Sequence, residues 1–275
     1  MAGRGRRPAK KIIIQTRART RVAAVGTRWG PALNSHSEPQ FSWRSYAVSH
    51  VGKVRKLNED ACLDRPEVGL WAIADGMGGH SAGDLASQLV INVLSKIKPH
   101  AELSALVDFV EHGIISANTR LYDLAAASNQ TIGSTVVTLL CAQGHCVYMW
   151  AGDSRLYRLR GGRLRQLTTD HSQVEIYVQQ GLIRREDASA HPAGNLVTRA
   201  VGASGELHLD LDIERLAAGD RFLLCSDGLI RHVSFEEIET SLGEPSAELA
   251  AERLLGMTLS RGAVDNVSIC VVEVV

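Results

Sequence analysis

Apolar and polar residues alternate from Phe41 to Val48, a period of two that predicts an antiparallel strand with one buried face. Short apolar runs over 60–64 and 69–74 predict two further strands. The period then changes. Between Ser81 and Ile97, the positions Leu85, Leu89 and Val93 and the neighbouring row Val90, Leu94 and Ile97 recur at helical spacing. Ser81 with Asp84 forms a capping-box-like start to that helix. A second helix is predicted over 103–125, with Leu106, Val110, Ile114, Ala117, Leu121 and Leu124 on one stripe. Strands follow at 134–141, 146–151, 155–159 and 164–167, with Gln143-Gly144 and Gly161-Gly162 marking hairpin turns. Residues 170–200 are polar and irregular, with a short helix near 173–180. Strands at 207–213 and 221–225, helices at 235–241 and 247–260, and a final strand at 266–274 complete the pattern. Strands and helices come in groups instead of alternating singly, which argues for an α+β fold with helices covering sheets.

A chain of 275 residues with 45% hydrophobic content suits one large domain, or one domain and a tail. The formal net charge of zero hides an asymmetry. Residues 1–40 hold nine Lys/Arg (Arg4, Arg6, Arg7, Lys10, Lys11, Arg17, Arg19, Arg21 and Arg28) and one acid, Glu38. Of the totals of 30 basic and 30 acidic residues, 21 and 29 therefore belong to residues 41–275, so the body is acidic and the leader basic. The leader has no sustained period and ends in Gly30-Pro31 and Glu38-Pro39; it is expected to be a disordered tail or linker, or a start codon called too early. Its apolar centre, Ile12-Ile13-Ile14, is too short for a secretory signal. Its one aromatic residue, Trp29, gives little support for nucleic-acid binding. No apolar stretch reaches about 18 residues, so no membrane span is expected and the protein is placed in the cytoplasm. Cys62, Cys141, Cys146, Cys225 and Cys270 lie mostly inside apolar runs without a CxxC pair, as buried thiols do.

Chemistry enters through acidic residues at five scattered places: Asn58-Glu59-Asp60, Asp75-Gly76, Gly152-Asp153-Ser154, Ser226-Asp227-Gly228 and Asp265-Asn266. Each lies where a short apolar run meets glycine or asparagine, at an expected strand end. Buried carboxylates are costly without partners, so several of them point to a cation assembled from distant parts of the chain. Oxygen-only ligands favour Mg²⁺ or Mn²⁺ over zinc, and such ions activate water and polarise phosphoryl oxygens. Glu59 and Asp60 are adjacent on an extended segment and point to opposite sides, so one can bind metal while the other orients water. Gly76 lets the backbone approach closely enough to offer its carbonyl. Arg55, three residues before Asn58, has the guanidinium geometry to clamp a phosphate.

Taken together, Arg55-Lys56-Leu57-Asn58-Glu59-Asp60, Ala74-Asp75-Gly76-Met77-Gly78-Gly79, Gly133-Ser134-Thr135, Ala151-Gly152-Asp153-Ser154-Arg155, Leu167-Thr168-Thr169-Asp170-His171-Ser172, Cys225-Ser226-Asp227-Gly228-Leu229 and Asp265-Asn266-Val267-Ser268 resemble the motif series of the metal-dependent type 2C serine/threonine protein phosphatases (the PPM family). The resemblance spans about 44–275, and the Met-Gly-Gly form is similar to the bacterial branch. It implies an α-β-β-α sandwich, two central antiparallel sheets flanked by helices, with metals in a cleft at one end. It further implies that Asp75 bridges two ions, that Asp227 and Asp265 complete one site, and that Glu59 and the Gly76 carbonyl serve the other. Asp153 with Asp227 would hold a weaker third ion, Asp60 would hydrogen-bond a metal-bound water, and Arg55 would hold the substrate phosphate. Animal members often carry His after the Asp-Gly pair as a proposed general acid. Met77 stands there in this chain, so the leaving group must take its proton from a metal-bound water or another group. His80 and His171 lie near motif residues and are read as structural.

The implied activity is hydrolysis of phosphoserine or phosphothreonine on proteins, in opposition to a bacterial Ser/Thr kinase. An FHA-domain protein of a type VI secretion system is one candidate partner, and a monomer is expected. Two rivals share the motifs: a catalytically dead binding module, and a regulator-type phosphatase acting on anti-sigma antagonists.

Overall fold

The structure, a computed structural model, describes residues 41–78, 82–194 and 196–275. The basic leader, Ser81 of the expected helix cap and His80 lie outside the described residues. The alternating pattern forms β1 (Trp43–His50), and the next apolar runs form β2 (Asp60–Arg65) and β3 (Leu70–Gly78). Two helices follow, α1 (Ala82–Leu94) and α2 (Leu103–Ser128). The central strands are β4 (Ile132–Ser134), β5 (Val136–Ala142), β6 (His145–Ala151), β7 (Arg155–Arg160) and β8 (Arg163–Gln166). The irregular region contains α3 (Gln173–Gln179) and a 3₁₀ turn over Arg185–Ala190. Then come β9 (Asp210–Arg215), β10 (Arg221–Cys225), α4 (Asp227–Ile230), α5 (Phe235–Ser241), α6 (Ala247–Ser260) and β11 (Val267–Val274).

All strand pairs are antiparallel, in two sheets. One sheet runs β1-β11-β10-β7-β8; the other runs β2-β3-β5-β6-β9, with β4 joined to the far end of β3. Between the sheets lies a core containing Trp71, Ile73, Leu139 and Tyr148 from one side and Leu156, Phe222, Leu224 and Val272 from the other. The outer face of the β3 sheet packs on α1 and α2 through Val90, Leu94, Leu106, Val110, Ile114 and Leu121. The outer face of the β10 sheet packs on α5 and α6 through Ile238, Leu242, Ala250, Ala251 and Leu254. The four layers are the expected α-β-β-α sandwich. Both hairpin turns form where the sequence placed them, with Gln143, Gly144, Gly161 and Gly162 all at positive φ, the backbone a two-residue type I′ turn requires.

The differences from the sequence pattern have local causes. α2 continues three residues past the expected end and stops at Asn129, whose left-handed backbone (φ 51°) caps it and whose N–H donates to Ala125 O. Leu85 and Leu124 sit outside the buried stripes, at 48% and 42% exposed, because the seams against the sheet are narrower than the apolar pattern. The strand expected at 207–213 is instead β9, an edge strand whose Leu211 and Ile213 face outward. The strand expected at 134–141 is interrupted at Thr135, which separates β4 from β5. β3 does not end at Asp75 but runs on to Gly78, where β4 pairs with its last residues.

Phe222 is fully buried between the sheets. Phe222→Ala is expected to cost ~3–5 kcal/mol in urea unfolding; a loss below about 1 kcal/mol would contradict the packing described.

Candidate metal centre

The parity of β2 and β3 explains how the acidic residues meet. Asp60 and Asp75 are directly opposite each other across these strands. Asp75 shares the face of Trp71 and Ile73, so both carboxylates enter the space between the sheets. Gly76 has the opposite parity and faces α1. A Cβ at Gly76 would lie 1.9 Å from Gly83 O, so only glycine fits there. Glu59 also turns to that side: its Oε1 lies within 2.4 Å of where a Gly83 Cβ would be. The expected divergence of Glu59 and Asp60 is thus observed, one toward the helix and one toward the second sheet.

The second sheet supplies the receiving groups. Ser226 Oγ donates to Asp60 Oδ2 at 2.7 Å, and Ser268 N–H donates to that same Ser226 Oγ at 3.0 Å. Ser226 stands at the N-terminus of α4 yet makes no capping bond with its side chain, because its hydroxyl is spent on Asp60. Asn266 joins the loops. Its Oδ1 accepts from Glu59 N–H at 2.8 Å, and its Nδ2 donates to Val51 O and Leu57 O at 2.8 and 3.0 Å. Thr135, at the break between β4 and β5, exchanges two bonds with Asp75. Asp75 N–H donates to Thr135 Oγ1 at 2.9 Å, and Thr135 N–H donates to Asp75 O at 2.8 Å. The strand break is therefore the price of positioning Asp75.

Asp75, Asp153 and Asp227 are all buried, and each offers a carboxylate oxygen within 4.8 Å of the others. Three anions this close in a low-dielectric site repel strongly unless a cation or protons intervene. Burial pushes the Asp60 carboxyl up to about 7; Ser226 and Ser268 oppose the rise, while Asp227 and Asp265 add to it. Asp265 thus belongs to the same electrostatic neighbourhood. Arg55 engages it with a hydrogen bond from Nη2 to Oδ2 at 2.9 Å and an ion-pair contact of Nε with Oδ1 at 2.9 Å. Charged oxygen donors without sulfur or imidazole fit a hard divalent ion such as Mg²⁺ or Mn²⁺.

Other motif residues are supports. His171 stacks on Trp150 with ring centroids 6.0 Å apart, and its Nδ1 accepts from Gly152 N–H at 3.1 Å, bracing the turn that carries Asp153. Arg155 and Asp170 form a two-pronged ion pair whose shortest contact is 2.7 Å. Met77 is 4% exposed and packs with Val197 and Ala200, so its position carries no proton donor. Beside the acidic cluster, a cavity of about 660 Å³ is lined by Asp153, Asp227, Arg231, Arg185, His191 and Pro192, among others. The sequence motifs include Ser226, Asn266 and Thr135 without a role for any of them, and Arg231 lies outside them. Ser226 and Asn266 flank recognised acids, Thr135 closes the Gly133-Ser134-Thr135 motif, and Arg231 follows Asp227 at helical i,i+4 spacing, which was the available signal.

The protein phosphatase 2C sequence profile matches residues 49–259. The chain belongs to the protein phosphatase 2C family. Among curated proteins it is similar to the serine/threonine protein phosphatase PstP of Mycobacterium tuberculosis, 38% identical over 235 residues, 84% of this chain. The chain spans 45% of that relative's length. Among solved structures it is similar to PppA, a key regulatory component of T6SS in Pseudomonas aeruginosa. The TM-score is 0.80 at 41% identity, covering 85% of this chain and 98% of PppA. The catalytic domain of PstP in complex with two manganese ions gives a TM-score of 0.77 at 36% identity, covering 86% of this chain and all of that one. Type 2C relatives thus share the sandwich, and one of them holds ions of the class that suits the donors found here.

The proton affinity of Asp60 has a measurable consequence. Between the ordinary value of 3.8 and the folded value of about 7, the native state binds more protons than the unfolded chain. This group's contribution to stability therefore falls as pH rises through that window. In EDTA, Asp60→Asn is expected to match wild type in urea midpoint near pH 4 and to exceed it at pH 8. Equal midpoints at pH 8 would contradict the burial of a charge at this position.

Proposed function

We propose that the protein is a cation-dependent phosphatase that hydrolyses phosphoserine and phosphothreonine on proteins. The approach of the buried Asp75 and Asp227 carboxylates to within 4.8 Å of each other carries the proposal. Asp75, Asp227, Asp265, Glu59 and the Gly76 carbonyl would hold two divalent ions. Bound there, the ions supply Lewis acidity toward the phosphoryl group and a water nucleophile near neutral pH. Asp60, whose Oδ2 accepts from Ser226, would accept a hydrogen bond from the nucleophile and hold its proton. Arg55 is half-exposed, so its guanidinium is free to turn to a phosphate once a cation neutralises Asp265. Two phosphate oxygens would then meet a planar fork of donors, which stabilises the charge spread over them during displacement.

Opposition to a bacterial Ser/Thr kinase fits this chemistry, and likeness to PppA, a regulatory component of T6SS, favours a role in type VI secretion; an FHA-domain protein would then be a candidate partner. No helix among the described residues is long and apolar enough to cross a membrane, in keeping with a cytoplasmic site of action. The cavity beside Asp153 and Asp227, walled by residues of the 170–194 segment, is where neighbouring residues of a phosphoprotein would lie.

Phosphate release from a phosphothreonine peptide is expected to require added Mn²⁺ or Mg²⁺ and to cease in EDTA. Asp227→Ala should lose kcat by about 100-fold or more, the scale of a lost electrostatic stabiliser; turnover near wild type would overturn the assignment. Arg55→Ala should instead raise KM by about tenfold or more, since a hydrogen bond to a charged group is worth ~1.5–3 kcal/mol. An unchanged KM would contradict its role in holding phosphate.

A further inference from the structure

Arg231 has no part in the chemistry above, yet its guanidinium is built into the acidic cluster. It follows the single turn of α4 and lies four residues after Asp227, so the helical repeat returns it over that carboxylate. Its Nη2 donates to Asp227 Oδ2 at 2.6 Å, with the two side chains 27% and 8% exposed. The turn is held in place from below: a Cβ at Gly228 would lie 1.9 Å from Asn266 O, so α4 sits directly on the start of β11. The Asp227 carboxylate thus holds a positive charge that cannot dissociate from the chain.

We propose that Arg231 is a tethered cation that takes the place of an exchangeable ion on the Asp153–Asp227 side of the cluster, so that the centre holds two divalent ions and not three. A divalent ion bridging Asp153 and Asp227 would compete with the guanidinium for Asp227 and be repelled by it. Arginine is suited to the task because it stays charged at every working pH and forms directed bonds to carboxylate. The arrangement makes the two-ion state independent of fluctuations in free metal on that side. It leaves Asp153 as a counter-charge for Arg231 that lines the adjoining cavity.

The proposal rests on the metal centre described above, and Mn²⁺ calorimetry on the EDTA-stripped full chain separates the two. Wild type and Arg231→Lys are expected to bind two ions, and Asp153→Ala in the wild-type background is expected to leave that number unchanged. Arg231→Gln should gain a third, weaker ion, which Arg231→Gln combined with Asp153→Ala should lose again. A third ion in wild type that disappears with Asp153→Ala overturns the proposal. So does an Arg231→Gln isotherm identical to wild type, including the case where binding of inorganic phosphate to the Mn²⁺-loaded variant weakens instead and makes Arg231 a phosphate ligand. Should Arg231→Gln not fold, the response of the wild-type stoichiometry to Asp153→Ala decides alone. A wild-type chain that binds no Mn²⁺ contradicts the metal centre itself.

Discussion

Asp60 and Asp75 face each other across two adjacent strands, and the surrounding structure answers their repulsion. Like charges in directly opposed positions destabilise a sheet. Here they also project into the space between two sheets, where water cannot screen them. The fold meets this with neutral donors for Asp60 from the opposite sheet, with Thr135 fixing the backbone of Asp75, and with guanidinium groups over Asp265 and Asp227. These devices position the carboxylates, and the remaining negative charge is what the proposed divalent cation would neutralise.

That constraint reaches into features that would otherwise be arbitrary. The ladder is interrupted between β4 and β5 because Asp75 N–H donates to the Thr135 side-chain Oγ1 and not to a backbone oxygen. The glycines at 76 and 228 let α1 press against β3 and α4 against the start of β11, where a single added methyl would collide with backbone oxygen. Asn266 ties the loop before β2 to the start of β11, so residues some two hundred positions apart move as one unit. Family membership and the manganese-bound relative agree with a site shaped in this way.

Much of this was legible in the chain. The period-two and period-3.6 patterns placed the long elements, and the Gln143-Gly144 and Gly161-Gly162 pairs placed both hairpins, because local backbone chemistry decides them. The acids at 59, 60, 75, 153, 227 and 265 were visible as charge at the edges of apolar runs. Asp75 was misread as a strand end, since Gly76-Met77-Gly78 looks like a turn until β4 arrives to pair with it. The roles of Ser226 and Thr135 were silent because they depend on what other strands bring close, which no local pattern encodes; Arg231 had only its i,i+4 spacing from Asp227 to mark it. The short α4 was likewise hidden, its four residues being too few to show a period.

The central claim is that the carboxylate cluster is completed by a divalent cation. Calorimetric unfolding of the EDTA-stripped chain against Mn²⁺ concentration tests it most directly. Binding to the native state alone should raise stability by about 2.7 kcal/mol at a hundred times Kd, with the midpoint climbing as Mn²⁺ increases and the rise absent in Asp75→Asn. A midpoint that ignores Mn²⁺, or one that rises equally in Asp75→Asn, would contradict it.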